Sequence, residues 1–236
     1  MSARIRIVPT FWVDMDAGGA QNVGMASHHA DKSRDRSQSL DPAERLRTGR
    51  LGAFFRPSQV VDAGITRDQL RTLVRRGAVE HACRGLYRMA DAEPTEHYSL
   101  AMACARVPKS VICLLSALRV HGIGTQAPAE VWIAIPHKAR KPRLPGLRLR
   151  VVRFSGPAWT FGVKEMVFEG VPARITTPAR TVADCFRFER LVGPEAAIEA
   201  LQDGLRQRKL TVAELSRVAE ILPSRRLSAA LDARSI

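Results

Sequence analysis

A threonine followed three residues later by a glutamine, in Thr66-Arg67-Asp68-Gln69, marks the start of a helix around which the rest of this chain is read. The hydroxyl of a threonine cap and the amide of Gln69 satisfy two backbone donors that a helix start otherwise leaves open. From there Leu70, Leu73 and Val74 fall at core-facing spacing, while Arg67, Arg71 and Arg75 recur every four residues on the opposite side. Gly64 supplies the turn from a shorter preceding helix, and Gly77 ends the second one at a left-handed position. The residues that follow, 78 to 82 and 86 to 89, alternate weakly around Arg84-Gly85, which predicts a hairpin with Gly85 at positive φ. Pro57 to Met89 therefore reads as a helix-turn-helix with a wing, the layout of a DNA-binding winged module. In that reading Thr66, Arg67, Arg71, Thr72, Arg75 and Arg76 face a groove, and Arg84 and Arg88 reach the phosphates beside it. A solvated basic helix beside an ordinary hairpin is the plainer alternative. The order of cap, arginine row, terminal glycine and basic turn favours the winged module.

Charge agrees with an anionic partner: 37 Lys and Arg stand against 23 Asp and Glu, a formal net charge of +14. Charge alone does not separate DNA from RNA or from an acidic protein. The length of 236 residues allows one large or two small domains, and 45% hydrophobic residues is enough to bury real cores. No apolar run approaches the roughly 20 residues of a membrane span. Cys83, Cys104, Cys113 and Cys185 have neither zinc spacing nor the even framework of a short secreted chain, so reduced thiols in a cytoplasm are expected. Residues 1–40 read as a disordered tail, because Gly18 to Ser39 offers almost no branched apolar side chain to bury. The apolar patch before Asp14 is too short for a signal peptide, and Met15 and Met25 stand as alternative starts. Folding is expected to begin at Asp41-Pro42-Ala43-Glu44, a cap, a first-turn proline and an acidic partner.

Beyond the wing, residues 94–107 and 111–120 are Ala- and Leu-rich with helical spacing and predict two packed helices. Residues 130–135 and 147–154 read as strands, the second with arginines alternating against Leu, Val and Phe, one face buried and the other basic. A third strand or a hairpin spans about 165–175 with a bend at Gly170, Thr177-Pro178 opens a helix to Phe188, Pro194 opens another to Arg208, and a capping box at Thr211 precedes a last helix ending near Leu222. The expected fold class is α+β: a winged helix-turn-helix over 41–91, then a mixed α/β domain over 92–236 with helices flanking a small sheet.

Several strings then share their order with a known family. They are Gly77 through Gly85-Leu86-Tyr87-Arg88, Cys113 to Leu118 with His121-Gly122, Glu130 to Pro136, Val151 to Gly156, and Thr177 to Phe186. On these the chain resembles the AbiEi antitoxins over about residues 46–222. The resemblance implies a winged helix-turn-helix joined to a C-terminal antitoxin domain. It further implies a cytoplasmic repressor of its own toxin–antitoxin operon that binds promoter DNA and counters a nucleotidyltransferase-like toxin.

The residues themselves speak against catalysis. Val131 to Lys164 holds no acidic residue, whereas a metal nuclease needs carboxylates converging on strands. No Ser, Cys or Thr stands with a base at a known motif spacing, and no glycine-rich phosphate loop is present. A non-enzyme without cofactor or metal is expected; the runner-up is a DNA-acting enzyme with a degenerate nuclease-like domain. Lys138, Arg140, Lys141, Arg143, Arg148, Arg150 and Arg153 are either a solvated face or an antitoxin surface for nucleic acid or for an acidic protein patch such as the toxin's. His121 before Gly122 reads as a packed or capping histidine, and His137 has no metal partner nearby. Asp184, one turn after Arg180, reads first as half of a structural ion pair.

Overall fold

The computed structural model describes residues 41–233 apart from 50, 52, 53, 84 and 94. The tail expected over 1–40 and Arg84 at the hairpin turn lie outside the described residues. Helix α1 (Pro42–Thr48) begins as the sequence predicts: the Asp41 carboxylate accepts the Ala43 N–H at 3.1 Å, with proline at the first helical position. After β1 (Phe54–Phe55) and α2 (Pro57–Asp62), Gly64 at φ 76° turns the chain into α3 (Arg67–Arg75). There the Gln69 N–H donates to the Thr66 hydroxyl at 3.2 Å, and Gln69 Oε1 accepts the Thr66 N–H at 2.9 Å. Strands β2 (Val79–Cys83) and β3 (Leu86–Met89) form the hairpin, with Gly85 at φ 71° in its turn. β1 pairs antiparallel with β3, giving a sheet ordered β1-β3-β2.

Successive side chains of a strand point to opposite faces, and both faces of this small sheet are covered. Phe55, Val79 and Met89 join Leu46, Val60, Ile65, Leu70 and Leu73 in a core under the three helices. Phe54 and Leu86 point the other way, into an apolar cluster shared with α4 (Tyr98–Arg106). The Phe54 ring lies 5.0 Å from that of Tyr98, and the Arg56 guanidinium donates to the Ala105 carbonyl.

The second sheet is built from β4 (Val111–Ile112), β5 (Val131–Pro136), β6 (Leu149–Phe154), β7 (Val163–Phe168) and β8 (Val171–Thr176), in the order β6-β5-β4-β8-β7. β4 is antiparallel to β5 and parallel to β8, β5 and β6 are parallel, and β7 and β8 make a hairpin through Glu169 and Gly170. Ile112, Ile133, Ile135, Phe168 and Ile175 pack toward α4, and Thr95 ties the neck before α4 to Glu169 through an N–H···Oε1 bond of 3.1 Å. On the opposite face Val111, Trp132, Ala134, Val152 and Phe154 meet α5 (Leu114–His121), α6 (Pro178–Arg187), α8 (Pro194–Arg206), α9 (Val212–Ile221) and α10 (Arg225–Asp232). A short α7 (Glu189–Val192) links α6 to α8. The molecule is thus α+β, as the sequence predicts.

Three expectations are corrected. The helix predicted from residue 94 starts at Tyr98. Val111 and Ile112, read as helical, are the central strand of the sheet; a two-residue apolar strand carries no period to distinguish it from a helix start. The chain continues past Leu222 into α10, whose Ser224 hydroxyl accepts the Leu227 N–H at 3.4 Å. No helix among the described residues is long and apolar enough to cross a membrane.

Candidate nucleic-acid interface

Leu70 and Leu73 pull one side of α3 into the core, and this leaves Arg67, Arg71 and Arg75 exposed on the other. Arg71 meets Asp68 at 3.0 Å and Arg75 donates to the Thr72 hydroxyl at 3.2 Å. Arg71 and Asp68 are both largely in water, so their pair is worth about 0–1 kcal/mol and leaves Arg71 free to exchange partners. Arg76 caps the helix end and is exposed, Thr72 and Val74 are half-buried, and the Thr66 hydroxyl is committed to the helix start.

Between α3 and the hairpin lies a hollow of about 880 Å³, walled by Arg67, Arg71, Thr72 and Arg75 and floored by His81 and Tyr87. His81 and Tyr87 are cross-strand partners with rings 4.3 Å apart, and Tyr87 stacks on Phe55 at 6.4 Å and 12°. Sequence reasoning missed this pair. Counting strand alternation from the buried Leu86 would have placed Tyr87 toward the helices.

The same alternation removes Arg88 from the DNA-facing set. It lies on the face of β3 that carries Leu86, only 8% exposed, with its guanidinium 5.1 Å from the Tyr98 ring. Nε pairs with Glu80 at 3.3 Å and Nη2 donates to the Ala92 carbonyl. Arg88 therefore points at the junction with α4, away from α3.

The basic face predicted over residues 138–153 also divides. Arg150 shares a side of β6 with the buried Val152 and Phe154, its guanidinium 5.6 Å from the Trp132 ring. Because Val151-Val152 interrupts the arginine alternation, Arg153 falls on the other side. There its Nη1 donates to the carbonyls of Pro136, His137 and Ala139 at 3.3, 2.5 and 2.8 Å. Lys138, Arg140, Lys141, Arg143 and Arg148 are exposed along the connection from β5 to β6.

The remaining candidates are structural. Arg180 and Asp184 are fully buried and paired at 2.8 Å, and Arg180 also donates to the carbonyls of Phe161 at 2.5 Å and Ala158 at 3.1 Å. Burial pushes the Asp184 carboxyl up against the lowering pull of Arg180 and of Arg187, which is 2.8 Å away. His121 Nε2 lies 2.7 Å from the Thr176 carbonyl, and burial drives its pKa down to about 4, so it is a neutral, packed residue. Cys104, Cys113 and Cys185 are buried free thiols; burial pushes Cys104 up to about 12. No group of three or more metal-ligating side chains comes together among the described residues.

Residues 49–90 match a family model described as transcriptional regulator, AbiEi antitoxin, a shorter stretch than the resemblance read from the sequence strings. The crystal structure of the RV2827C protein from Mycobacterium tuberculosis is similar with a TM-score of 0.57, covering 81% of this chain and 75% of that one. At 17% identity that likeness speaks for the fold alone. No curated protein matches the sequence. Through the segment holding α2, α3 and the hairpin, this chain is similar to the AbiEi antitoxin transcriptional regulators.

Proposed function

We propose that this protein is a cytoplasmic, non-enzymatic antitoxin that binds double-stranded promoter DNA through α3 and represses its own operon. The observation that carries this is the exposed row Arg67, Arg71 and Arg75 on a firmly capped helix, bordering a hollow inside the segment that matches the regulator family. A helix of this kind reads base edges with side chains along one face, while neighbouring cations hold phosphates. Thr72, Arg76, His81 and Tyr87 border the same hollow or helix end, and Arg84 follows β2 in the hairpin sequence. Antitoxin action is assigned to residues 92–236, with the basic set of the β5–β6 connection as its surface, countering a nucleotidyltransferase-like toxin or shielding the nucleic acid on which that toxin acts.

Replacing any one of Arg67, Arg71 or Arg75 by alanine is expected to cost about 1–3 kcal/mol where it reads a base; a phosphate contact instead reduces the salt slope by about one unit. Electrophoretic mobility shifts with the chain's own promoter test this. A folded triple-alanine variant that binds the promoter as tightly as the parent overturns the assignment. Incubating the protein and promoter with magnesium or manganese tests the non-enzymatic part, which DNA cleavage would refute.

A further inference from the structure

The connection 137–148 joins two parallel neighbours, β5 and β6, and so must run the length of the sheet over one of its faces. Such crossovers are usually helical. Here the crossing is made by irregular chain whose path is fixed from two ends. At the β5 end Arg153 gathers the Pro136, His137 and Ala139 carbonyls. At the β6 end Leu144 is buried, and the Leu147 N–H donates to its carbonyl at 3.2 Å. Ala139 and Leu147 seat the segment on the apolar cluster that also receives Phe54 and Leu86 of the winged segment. The connection therefore lies on the face of the sheet that carries α4 and the hairpin.

Lys138, Arg140, Lys141, Arg143 and Arg148 project from this fixed segment, and none has a carboxylate within 4.0 Å among the described residues. Among the described residues the large exposed apolar side chains, such as Val61, Val167 and Leu191, all lie elsewhere. That combination discriminates between polyanions. A protein partner is held by a desolvated apolar or aromatic centre with charge at the rim, which this segment lacks. A nucleic-acid backbone needs only cations spaced along its phosphates, the affinity coming from released counterions.

We infer that the connection 137–148 is a phosphodiester-binding surface in which Lys138, Arg140, Lys141, Arg143 and Arg148 meet nucleic-acid phosphates and Arg153 is the positioning residue. The inference rests on assigning the antitoxin surface to this basic set, and names its ligand. Arg153 spends its own hydrogen bonds on loop carbonyls, so it sets where the other cations stand without touching a phosphate. A lysine cannot replace it there, since its ammonium stands one bond nearer the backbone than the Nη1 that gathers all three carbonyls.

The test uses the full chain carrying R67A, R71A and R75A, which removes the α3 contribution, and random-sequence duplex DNA and RNA of equal length. Fluorescence anisotropy over a salt series is expected to retain binding to at least one of them. The log–log slope for duplex DNA is expected near −4 to −5, roughly 0.9 for each of the five loop cations. Adding K138E, R140E, K141E and R143E is expected to abolish that binding, and the tighter of DNA and RNA identifies the source of the phosphates. R153A and R153K are both expected to lower affinity several-fold while shifting the slope by less than one unit. Restoration by R153K, together with a slope lower by about one unit in R153A, would make Arg153 a phosphate contact and overturn its positioning role. The surface assignment is overturned by absence of residual binding, by binding that survives charge reversal, or by polyglutamate binding as tightly as nucleic acid of equal charge. Promoter binding by the chain with α3 intact is a separate measurement, so failure here leaves the α3 assignment standing.

Discussion

The buried Asp184 and the half-buried His121, on neighbouring helices, show how loss of water decides the state of a side chain. Asp184 stays useful inside the protein because Arg180 and Arg187 both reach it; deleting either partner of a buried pair strands a charge, whereas the pair itself adds little net stability. His121 has no such partner. Burial is the main cause of its lowered pKa, with Lys164 and Lys209 adding to it and the bond to Thr176 opposing. The folded value of about 4 lies below the ordinary 6.5, so between these two the unfolded chain takes up a proton that the folded chain refuses. Stability is therefore full above about pH 6.5 and declines as pH falls toward 4, by about 3 kcal/mol in all for a shift of this size. His121→Gln is expected to flatten that part of the profile. Urea midpoints measured for parent and variant across the acid range check it, and parallel profiles would contradict it.

At the scale of elements, strand alternation divides arginines that look equivalent along the chain. The sequence predicts both Arg67 and Arg88 as DNA contacts, yet one stands on an open helix face and the other is closed against Tyr98 and Glu80. Arg88→Ala is accordingly expected to lower thermal stability by several degrees while leaving the salt slope of promoter binding within half a unit of the parent. A slope reduced by about one, as for a lost phosphate contact, would return Arg88 to the interface. The helix starts at Asp41, Thr66 and Thr211 were legible because a cap is a local pattern whose partners lie within three residues. The arginine row of α3 was legible for the same reason. What escaped was set by distant chain: β4 becomes a strand only between β5 and β8, Arg153 meets backbone carbonyls only because the β5–β6 connection passes beside it, and Arg88 is closed in only because α4 covers the hairpin. The pairing of His81 with Tyr87 follows from the strand register alone.

Across the whole described molecule, the boundary drawn at residue 91 runs through a continuous apolar cluster. Phe54 and Leu86 lie in it with Ala101, Ile133 and Ile175, and Arg56 and Thr95 bridge the same seam. Thermal unfolding is therefore expected to be one cooperative transition, with Phe54→Ala lowering it as a whole by about 3–5 kcal/mol of lost burial and cavity. Calorimetry resolving two transitions, only one of them moved by the substitution, would make the halves independent. The seam also bears on transplantation. A winged helix whose hairpin sheet had one free face could be grafted onto another protein as a portable reader, but here both faces are occupied. A chimera that borrows the α3 arginines must carry α4 along with them, or supply a substitute for Tyr98 against which Phe54, Leu86 and Arg88 can close.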